Sequence, residues 1–199
     1  MSLAIIDSGG ANIGSVRFAL QRLGVESVFT ADPAVIRRAD RVVLPGVGAA
    51  AAAMRQLRDH GLVECIRGLT QPVLGICLGM QLLYETSSEG DVDCLGLVPG
   101  RLERFPDTAG LRVPHMGWNH TATVRDDPLL SGLGQEPWFY FVHSYYAPVN
   151  DATIASCRHG VVFSAMVQHG NFRGAQFHPE RSARHGAQVL KNFIEDRQA

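Results

Sequence analysis

The first half of the chain alternates short apolar runs with longer segments of helical periodicity, and this alternation restricts the fold more than any other feature. The apolar runs that predict strands are Leu3 to Ile6, Val25 to Phe29, Arg41 to Leu44 and Val73 to Ile76. Strands that alternate with helices are typical of βα units, which form a largely parallel sheet. We therefore expect an α/β fold with an open, mostly parallel sheet and flanking helices.

Four segments of the first half have the spacing of helices. The predicted helices run from Asn12 to about Gln21, from near Pro33, from Ala49 to about Ile66, and from Leu78 to about Glu85. Asn12 can cap the first of them. The run of five alanines from Ala49 to Ala53 favours helix, and its small side chains allow close packing on a sheet.

The second half is richer in Gly, Pro and aromatic residues and contains a series of short predicted strands. These strands lie near Arg101 to Phe105, Trp138 to Val142, Ile154 to Cys157, Phe163 to Gln168 and Arg173 to Phe177. Their density predicts a partly antiparallel extension of the sheet. A last helix is expected from about Ser182 to Glu195. With no linker or repeat, residues 1–199 are expected to form a single domain.

Composition excludes several functional classes. With 46% hydrophobic and 19% charged residues, the chain has enough apolar material for a buried core. A formal charge of -1, from 18 basic and 19 acidic residues, disfavours nucleic-acid or anionic-membrane binding. The sequence lacks a long apolar run and a basic n-region at its start, so we expect a cytoplasmic protein. Its four separated cysteines predict no disulfide framework, and no metal or cofactor is expected.

The segment Gly75-Ile76-Cys77-Leu78-Gly79 places a thiol between a predicted strand and a predicted helix, with glycine two positions away on each side. This spacing is that of a nucleophile elbow, in which glycines permit a tight bend. At a helix start the thiolate is favoured, and the N–H of Leu78 can face an attacked carbonyl oxygen. The alternative is that Cys77 is a small core residue and the glycines only permit close packing.

A candidate base follows the last predicted strand. His178 and Glu180 are two residues apart, and in an extended backbone such residues project to the same side. The carboxylate of Glu180 could then orient one imidazole nitrogen while the other faces a substrate. If the strands at 73–76 and 173–177 are parallel neighbours, Cys77 and His178 meet at one edge of the sheet. The alternative is an exposed loop histidine beside a solvated glutamate.

The loop Leu44 to Gly48 also follows a strand and could supply a second backbone N–H to an oxyanion. It is equally consistent with a simple glycine-rich turn. The loop Ser8 to Asn12 lacks the lysine and the glycine spacing of phosphate-binding motifs, so a phosphate site there is rejected.

These segments together resemble the class I (triad) glutamine amidotransferases and, within them, the glutaminase subunits of imidazole glycerol phosphate synthase, which act in histidine biosynthesis. The similarity extends over nearly the whole chain. The matching segments are Asn12 with Ser15-Val16, Leu44 to Gly48, Gly75 to Leu83, Pro114 to Asn119, Phe141 to Tyr145, and Gln176 to Ser182.

The resemblance implies a flavodoxin-like sheet and assigns roles to individual residues. Cys77 is implied as the nucleophile, His178 as general base and acid, and Glu180 as the group that orients it. The oxyanion donors would be Leu78 and the loop at Val47 and Gly48. The implied substrate contacts are Gly48, Gln81, Glu89, Ser144 and Tyr145. The implied partner-facing residues are Asn12, Trp118 and Arg181, and for Trp118 the alternative is an ordinary packed aromatic.

The implied reaction hydrolyses glutamine to glutamate and ammonia through a cysteine thioester, without a cofactor. The implied partner is the cyclase subunit, a (β/α)8 barrel that forms a heterodimer with this chain. That subunit uses the ammonia to make imidazole glycerol phosphate and aminoimidazole carboxamide ribotide.

Three other functions fit parts of the pattern. A glutaminase subunit of another class I pathway, such as that of anthranilate, guanylate or a surface sugar, would share the triad. A cysteine peptidase or esterase would use a different substrate. A flavodoxin-like interaction module would not be catalytic at all.

Overall fold

The structure is a computed structural model that describes residues 1–9 and 13–196. Its helices are α1 (Ile13–Arg22), α2 (Pro33–Arg38), α3 (Ala50–Asp59), α4 (Leu62–Arg67), α5 (Leu78–Leu82) and α6 (Ala183–Glu195). The first seven strands are β1 (Leu3–Ile6), β2 (Ser27–Thr30), β3 (Arg41–Gly46), β4 (Val73–Cys77), β5 (Tyr84–Ser87), β6 (Val92–Asp93) and β7 (Val98–Arg104). The others are β8 (His115–His120), β9 (Ala122–Thr123), β10 (Trp138–His143), β11 (Tyr145–Tyr146), β12 (Thr153–His159), β13 (Val161–His169) and β14 (Phe172–Ala175).

The main sheet has eight strands in the order β2-β1-β3-β4-β14-β13-β12-β9. The strands from β2 to β14 are parallel, and those from β14 to β9 pair antiparallel. A mostly parallel sheet with an antiparallel extension is what the sequence predicts. Two smaller sheets, β10-β8 and β11-β7-β5-β6, pack beside it.

Helices cover both faces of this sheet, and side chains alternate between the two sides along each strand. In β1, Ala4 and Ile6 belong to the core under α2, α3, α4 and α5, whereas Leu3 and Ile5 belong to the core under α1 and α6. Burial on both faces explains why the parallel strands have continuous apolar runs instead of alternating ones. Within the described residues, no helix is both long and apolar enough to cross a membrane.

Two helix predictions are wrong. The segment predicted as one helix, Ala49 to Ile66, is two helices, because Gly61 adopts a left-handed φ of 65° that ends α3 and starts α4 in a new direction. The helix predicted from Leu78 to Glu85 ends at Leu82, and β5 follows at once. Tyr84 is fully buried there and pairs with β7, so tertiary pairing overrides the local helical spacing.

Other boundaries differ from prediction because of long-range pairing. The second strand begins at Ser27 and not at Val25, since the backbone N–H of Val25 bonds to Leu20 at the end of α1. The strands β5, β6, β8, β9 and β11 were not predicted, and each is four residues or shorter except β8. The predicted cap at Asn12 lies outside the described residues.

Candidate active site

The predicted convergence of Cys77 and His178 at one sheet edge depends on two strands, and these strands are parallel neighbours. β4 pairs with β14 in a register that places Ile76 opposite Ala175. Cys77 ends β4, and His178 follows β14 after two residues, so both side chains lie at the carboxyl edge. This is where open α/β sheets bind their ligands.

Cys77 has a strained backbone. Its φ of 54° and ψ of -113° are rarely adopted by a residue with a Cβ. The turn is so tight that a Cβ on Gly79 would overlap the carbonyl oxygen of Leu44, and one on Gly75 would lie 2.7 Å from the oxygen of Gly79. Both glycines therefore permit the close approach that the elbow prediction requires, and the packing of β3 and β4 holds Cys77 in its strained conformation.

The imidazole of His178 is bonded to a carboxylate. Its Nδ1 lies 2.9 Å from Oε1 of Glu180, and the ring lines the same cavity as the Cys77 thiol. The side chains of His178 and Glu180 are 9% and 1% exposed. The structure thus places the thiol and the imidazole at one cavity, with the imidazole bonded to the carboxylate of Glu180.

The charge state of this chain follows from its surroundings. Burial alone would lower the pKa of His178, but its bonds to Cys77 and Glu180, and their negative charges, raise that pKa to about 10. At neutral pH the imidazole therefore keeps its proton. An imidazolium next to a thiolate is the arrangement from which a cysteine attacks a carbonyl carbon.

The other three thiols have a different environment. Burial raises the pKa of the Cys94 thiol to about 11 and that of the Cys157 thiol to about 12, and it also raises the pKa of Cys65. A thiol that stays protonated in the interior is a poor nucleophile. Cys77 lines a cavity together with the imidazole of His178.

A cavity of about 310 Å³ opens beside Cys77. This volume is near the lower end of the range for small-molecule sites, which suits a ligand of amino-acid size. Its lining includes Cys77 and His178 and all the residues predicted as oxyanion donors or substrate contacts, namely Val47, Gly48, Leu78, Gln81, Glu89, Ser144 and Tyr145.

Two of the predicted substrate contacts already bond to the protein. The side-chain amide of Gln81 donates to the carbonyl of Tyr145 at 2.9 Å and to Gln176 at 3.0 Å. The carboxylate of Glu89 accepts from the backbone N–H of Ala50 at 2.8 Å, at the start of α3. These bonds fix the walls of the cavity, and direct contact of either side chain with a substrate stays a prediction.

Three lining residues were missed by sequence reasoning: Pro114, Val142 and His143. The carbonyl oxygen of Val142 lies 3.9 Å from the sulfur of Cys77. His143 is the last residue of β10 and directly follows the strand predicted at Trp138 to Val142, and this position after an apolar strand was a usable signal. The same signal could not have predicted that His143 contacts His115, because this contact depends on the register of β10 and β8.

Two of the predicted partner-facing residues, Trp118 and Arg181, lie on the outer side of the β8/β10 sheet. Trp118 is 50% exposed and contacts the ring of Tyr140 edge-on, with ring centroids 6.1 Å apart. The guanidinium of Arg181 lies over the same Tyr140 ring, 5.5 Å from its centroid. Trp118 and Arg181 thus belong to one surface, whereas Asn12 lies outside the described residues.

Comparison with known proteins supports the same family. The family profile "Glutamine amidotransferase class-I" matches residues 4–196. The chain is 56% identical over 193 residues to "Imidazole glycerol phosphate synthase subunit HisH" of Xanthomonas axonopodis pv. citri, covering 97% of this chain and 96% of that protein. It is 54% identical, with the same coverage, to the protein of that name in Xylella fastidiosa.

Solved structures of low identity have the same fold. A glutamine amidotransferase that is 18% identical superimposes with a TM-score of 0.75 and covers 98% of each chain. A second, from Thermotoga maritima, has a TM-score of 0.65, covers 98% of this chain and 81% of its own, and is also 18% identical. The chain belongs to the class I glutamine amidotransferase family and, within it, to the group of imidazole glycerol phosphate synthase HisH subunits.

Proposed function

We propose that the chain hydrolyses the side-chain amide of glutamine at Cys77 and delivers the ammonia to a cyclase subunit of imidazole glycerol phosphate synthase in histidine biosynthesis. The observation that carries this proposal is that Cys77 and His178 line one cavity of amino-acid size, with His178 bonded to Glu180. The names of the relatives supply the pathway.

In the first half of the reaction, the Cys77 thiolate adds to the amide carbon of glutamine. The carbonyl oxygen becomes an oxyanion, for which the N–H of Leu78 and a backbone donor at Val47 or Gly48 are the candidate partners. The C–N bond then breaks, and the protonated His178 gives its proton to the leaving nitrogen, which departs as ammonia. A glutamyl thioester on Cys77 remains.

In the second half, His178 is neutral and takes a proton from water. The resulting hydroxide adds to the thioester carbonyl, the C–S bond breaks, and glutamate leaves while the thiolate is restored. Glu180 keeps the imidazole oriented through Nδ1 in both halves and stabilises its positive charge. His178 ends the cycle protonated, as it began.

Assays of substrate preference, partner activation and cysteine labelling test the proposed reaction. The chain should release glutamate from free glutamine, and addition of an imidazole glycerol phosphate cyclase should raise that rate. Preference for peptides or esters would favour a peptidase or esterase, and activation by a different synthase subunit would favour another class I pathway. A glutamine-like electrophile that labels Cys77 no faster than Cys94 or Cys157 would indicate a non-catalytic module.

The carboxylate of Glu180 should set the alkaline limit of the reaction. Replacing Glu180 with glutamine removes a negative charge that helps to raise the pKa of His178, so the imidazole should lose its proton at a lower pH. Protonated His178 pairs with the thiolate and protonates the leaving ammonia. As the pH is raised, the variant should therefore lose activity at a lower pH than the wild type does. We expect kcat/KM to drop by roughly 10²-fold at neutral pH.

The measurement is the pH profile of glutamate release for both proteins. Glu195→Gln, which changes an exposed carboxylate at the end of α6, is the matched control and should keep the wild-type profile. An alkaline limit in Glu180→Gln that coincides with that of the wild type would contradict the role of Glu180.

We infer that the cyclase docks on the outer face of the β8/β10 sheet. Three large apolar side chains are exposed on this two-stranded sheet: Met116 at 59%, Trp118 at 50% and Trp138 at 48%. Arg181 adds a cation over Tyr140 at its centre. Exposed aromatic residues with a neighbouring arginine are typical of the residues that dominate binding energy in protein interfaces.

Truncation of one aromatic side chain tests this surface. Trp118→Ala should weaken binding to the cyclase by about tenfold or more, because buried interface tryptophans often contribute that much. Calorimetric titration of the chain with the cyclase gives the Kd. Val149→Ala, at another exposed apolar position, is the control and should leave the Kd unchanged. Equal Kd values for the two variants would place the docking face elsewhere.

We place the reaction in the cytoplasm. The proposed nucleophile works only as a reduced thiol, and all four cysteines are free in the structure. The cytoplasm is the compartment that keeps protein thiols reduced.

A further inference from the structure

Two histidines beside the cavity form a second hydrogen-bonded chain that the proposed reaction does not use. His143 Nδ1 lies 2.8 Å from the carbonyl oxygen of Tyr145, and its Nε2 lies 3.0 Å from Nδ1 of His115. His115 Nε2 lies 3.2 Å from the side-chain amide nitrogen of Asn119. His143 and His115 are direct cross-strand partners in the β10/β8 pair.

The direction of every bond in this chain is determined by its two ends. The carbonyl of Tyr145 can only accept, so His143 must carry its proton on Nδ1. The amide nitrogen of Asn119 can only donate, so His115 Nε2 accepts and its Nδ1 carries the proton. Nδ1–H of His115 then donates to the unprotonated Nε2 of His143, and each imidazole is neutral with both nitrogens bonded.

The surroundings of the rings support neutral imidazoles. Burial lowers the pKa of His143 to about 3 and that of His115 to about 4. The His115 ring is stacked between Phe141 and His159, with centroid distances of 4.9 and 4.1 Å. His143 packs against Phe105 and Phe163, each with a centroid distance of 5.1 Å.

The chain of bonds ends on a segment that lines the cavity. The carbonyl of Tyr145 accepts from His143 and also from Gln81 at 2.9 Å, so both of its lone pairs are used. The preceding carbonyl, that of Ser144, accepts from the backbone N–H of Phe105. Both peptide units of the Ser144–Tyr145 segment are therefore fixed by hydrogen bonds to the rest of the protein.

We propose that His143, His115 and Asn119 are positioning residues for substrate binding: their relay of hydrogen bonds holds the Ser144–Tyr145 segment in the orientation that receives the glutamine molecule. This inference rests on the proposed function, because it names residues that serve the same cavity. None of the three transfers a proton in the reaction. They act through the segment, so their loss should weaken substrate binding and leave the chemical step intact.

Two substitutions of His115 distinguish the effect of its hydrogen bond to His143 from the effect of its ring packing. His115→Phe keeps an aromatic ring between Phe141 and His159 but leaves Nε2 of His143 without a donor. His115→Asn loses the ring but places an amide N–H near the position of Nδ1. We expect His115→Phe to raise the KM for glutamine about tenfold with kcat changed less than about twofold, and His115→Asn to recover most of the KM.

His159→Phe is the matched control, because it removes a histidine that stacks on His115 but lies outside the relay. Its KM should stay at the wild-type value. Three results would overturn the proposal: a fall in kcat at unchanged KM, equal impairment of His115→Phe and His115→Asn, or an equal rise of KM in His159→Phe.

A spectroscopic measurement on the wild-type protein tests the protonation states that the relay requires, without any variant. Long-range ¹⁵N–¹H correlation spectra at pH 7 should show His143 and His115 as neutral imidazoles with the proton on Nδ1. Proton occupancy on Nε2, or an imidazolium at either residue, would refute the relay even if the chain hydrolyses glutamine. Absence of glutamine hydrolysis in the wild type would instead refute the proposed function, and these spectra would still report on the relay.

Discussion

Cys77→Ser will lose glutamine-dependent turnover by about a thousandfold or more when assayed together with the cyclase. A serine hydroxyl is far less acidic than a thiol, so the positive charge of His178 cannot maintain the corresponding alkoxide. Without an anionic nucleophile, neither the attack on the amide nor the thioester cycle can start. The measurement is product formation by the complex with glutamine as the nitrogen source.

The same complex supplied with an ammonium salt provides the control. Since the substitution changes one atom in the glutaminase cavity, ammonia-dependent turnover should stay within about twofold of the wild type. Equal loss with both nitrogen sources would mean that Cys77 supports the fold or the docking of the partner, and not glutamine hydrolysis. Retention of glutamine-dependent turnover would remove Cys77 from the mechanism.

Gly79→Ala should have the largest effect on stability. The added Cβ would overlap the backbone carbonyl of Leu44 in the neighbouring strand β3, and a main-chain atom cannot move aside as a flexible side chain can. We expect a loss of about 3 kcal/mol in the free energy of unfolding, measured by urea denaturation. The elbow should open at the same time, so the alkylation of Cys77 should slow.

Gly14→Ala is the matched control, because Gly14 lies in α1 and, among the described residues, the added Cβ would approach only the ring of Phe18, at 3.9 Å. Alanine is favoured over glycine in a helix, so this variant should be as stable as the wild type or about 0.5 to 1 kcal/mol more stable. If Gly79→Ala unfolds at the same urea concentration as the control, the contact between β3 and the elbow is not as close as the structure indicates.

The strand-to-helix elbow was predictable because its determinants are adjacent in sequence. Two glycines that flank Cys77 at a spacing of two specify a tight bend, and the apolar run before it specifies a buried strand. The pairing of His178 with Glu180 is local for the same reason, since two residues of extended chain project to one side. These short-range relations identify the candidate residues, and the family resemblance assigns their roles as a triad.

The histidine relay was not predictable from the sequence. His115 and His143 lie in segments that matched the family, but no local pattern relates two histidines so far apart in the chain. Their contact depends on the antiparallel register of β8 and β10, and β8 itself was missed. The same applies to Gln81, whose bond to Tyr145 joins a helix of the first half to a strand of the second.

By itself, the sequence determined the alternating α/β architecture, the strand-helix turn that presents a thiol, and the imidazole with its carboxylate, because each of these depends on spacing between near neighbours. Tertiary structure decided where α3 ends, that β5 replaces the end of a predicted helix, which residues line the cavity, and which histidines contact each other. Those features arise from pairing and burial between distant segments, and their free energy exists only once the sheet has assembled.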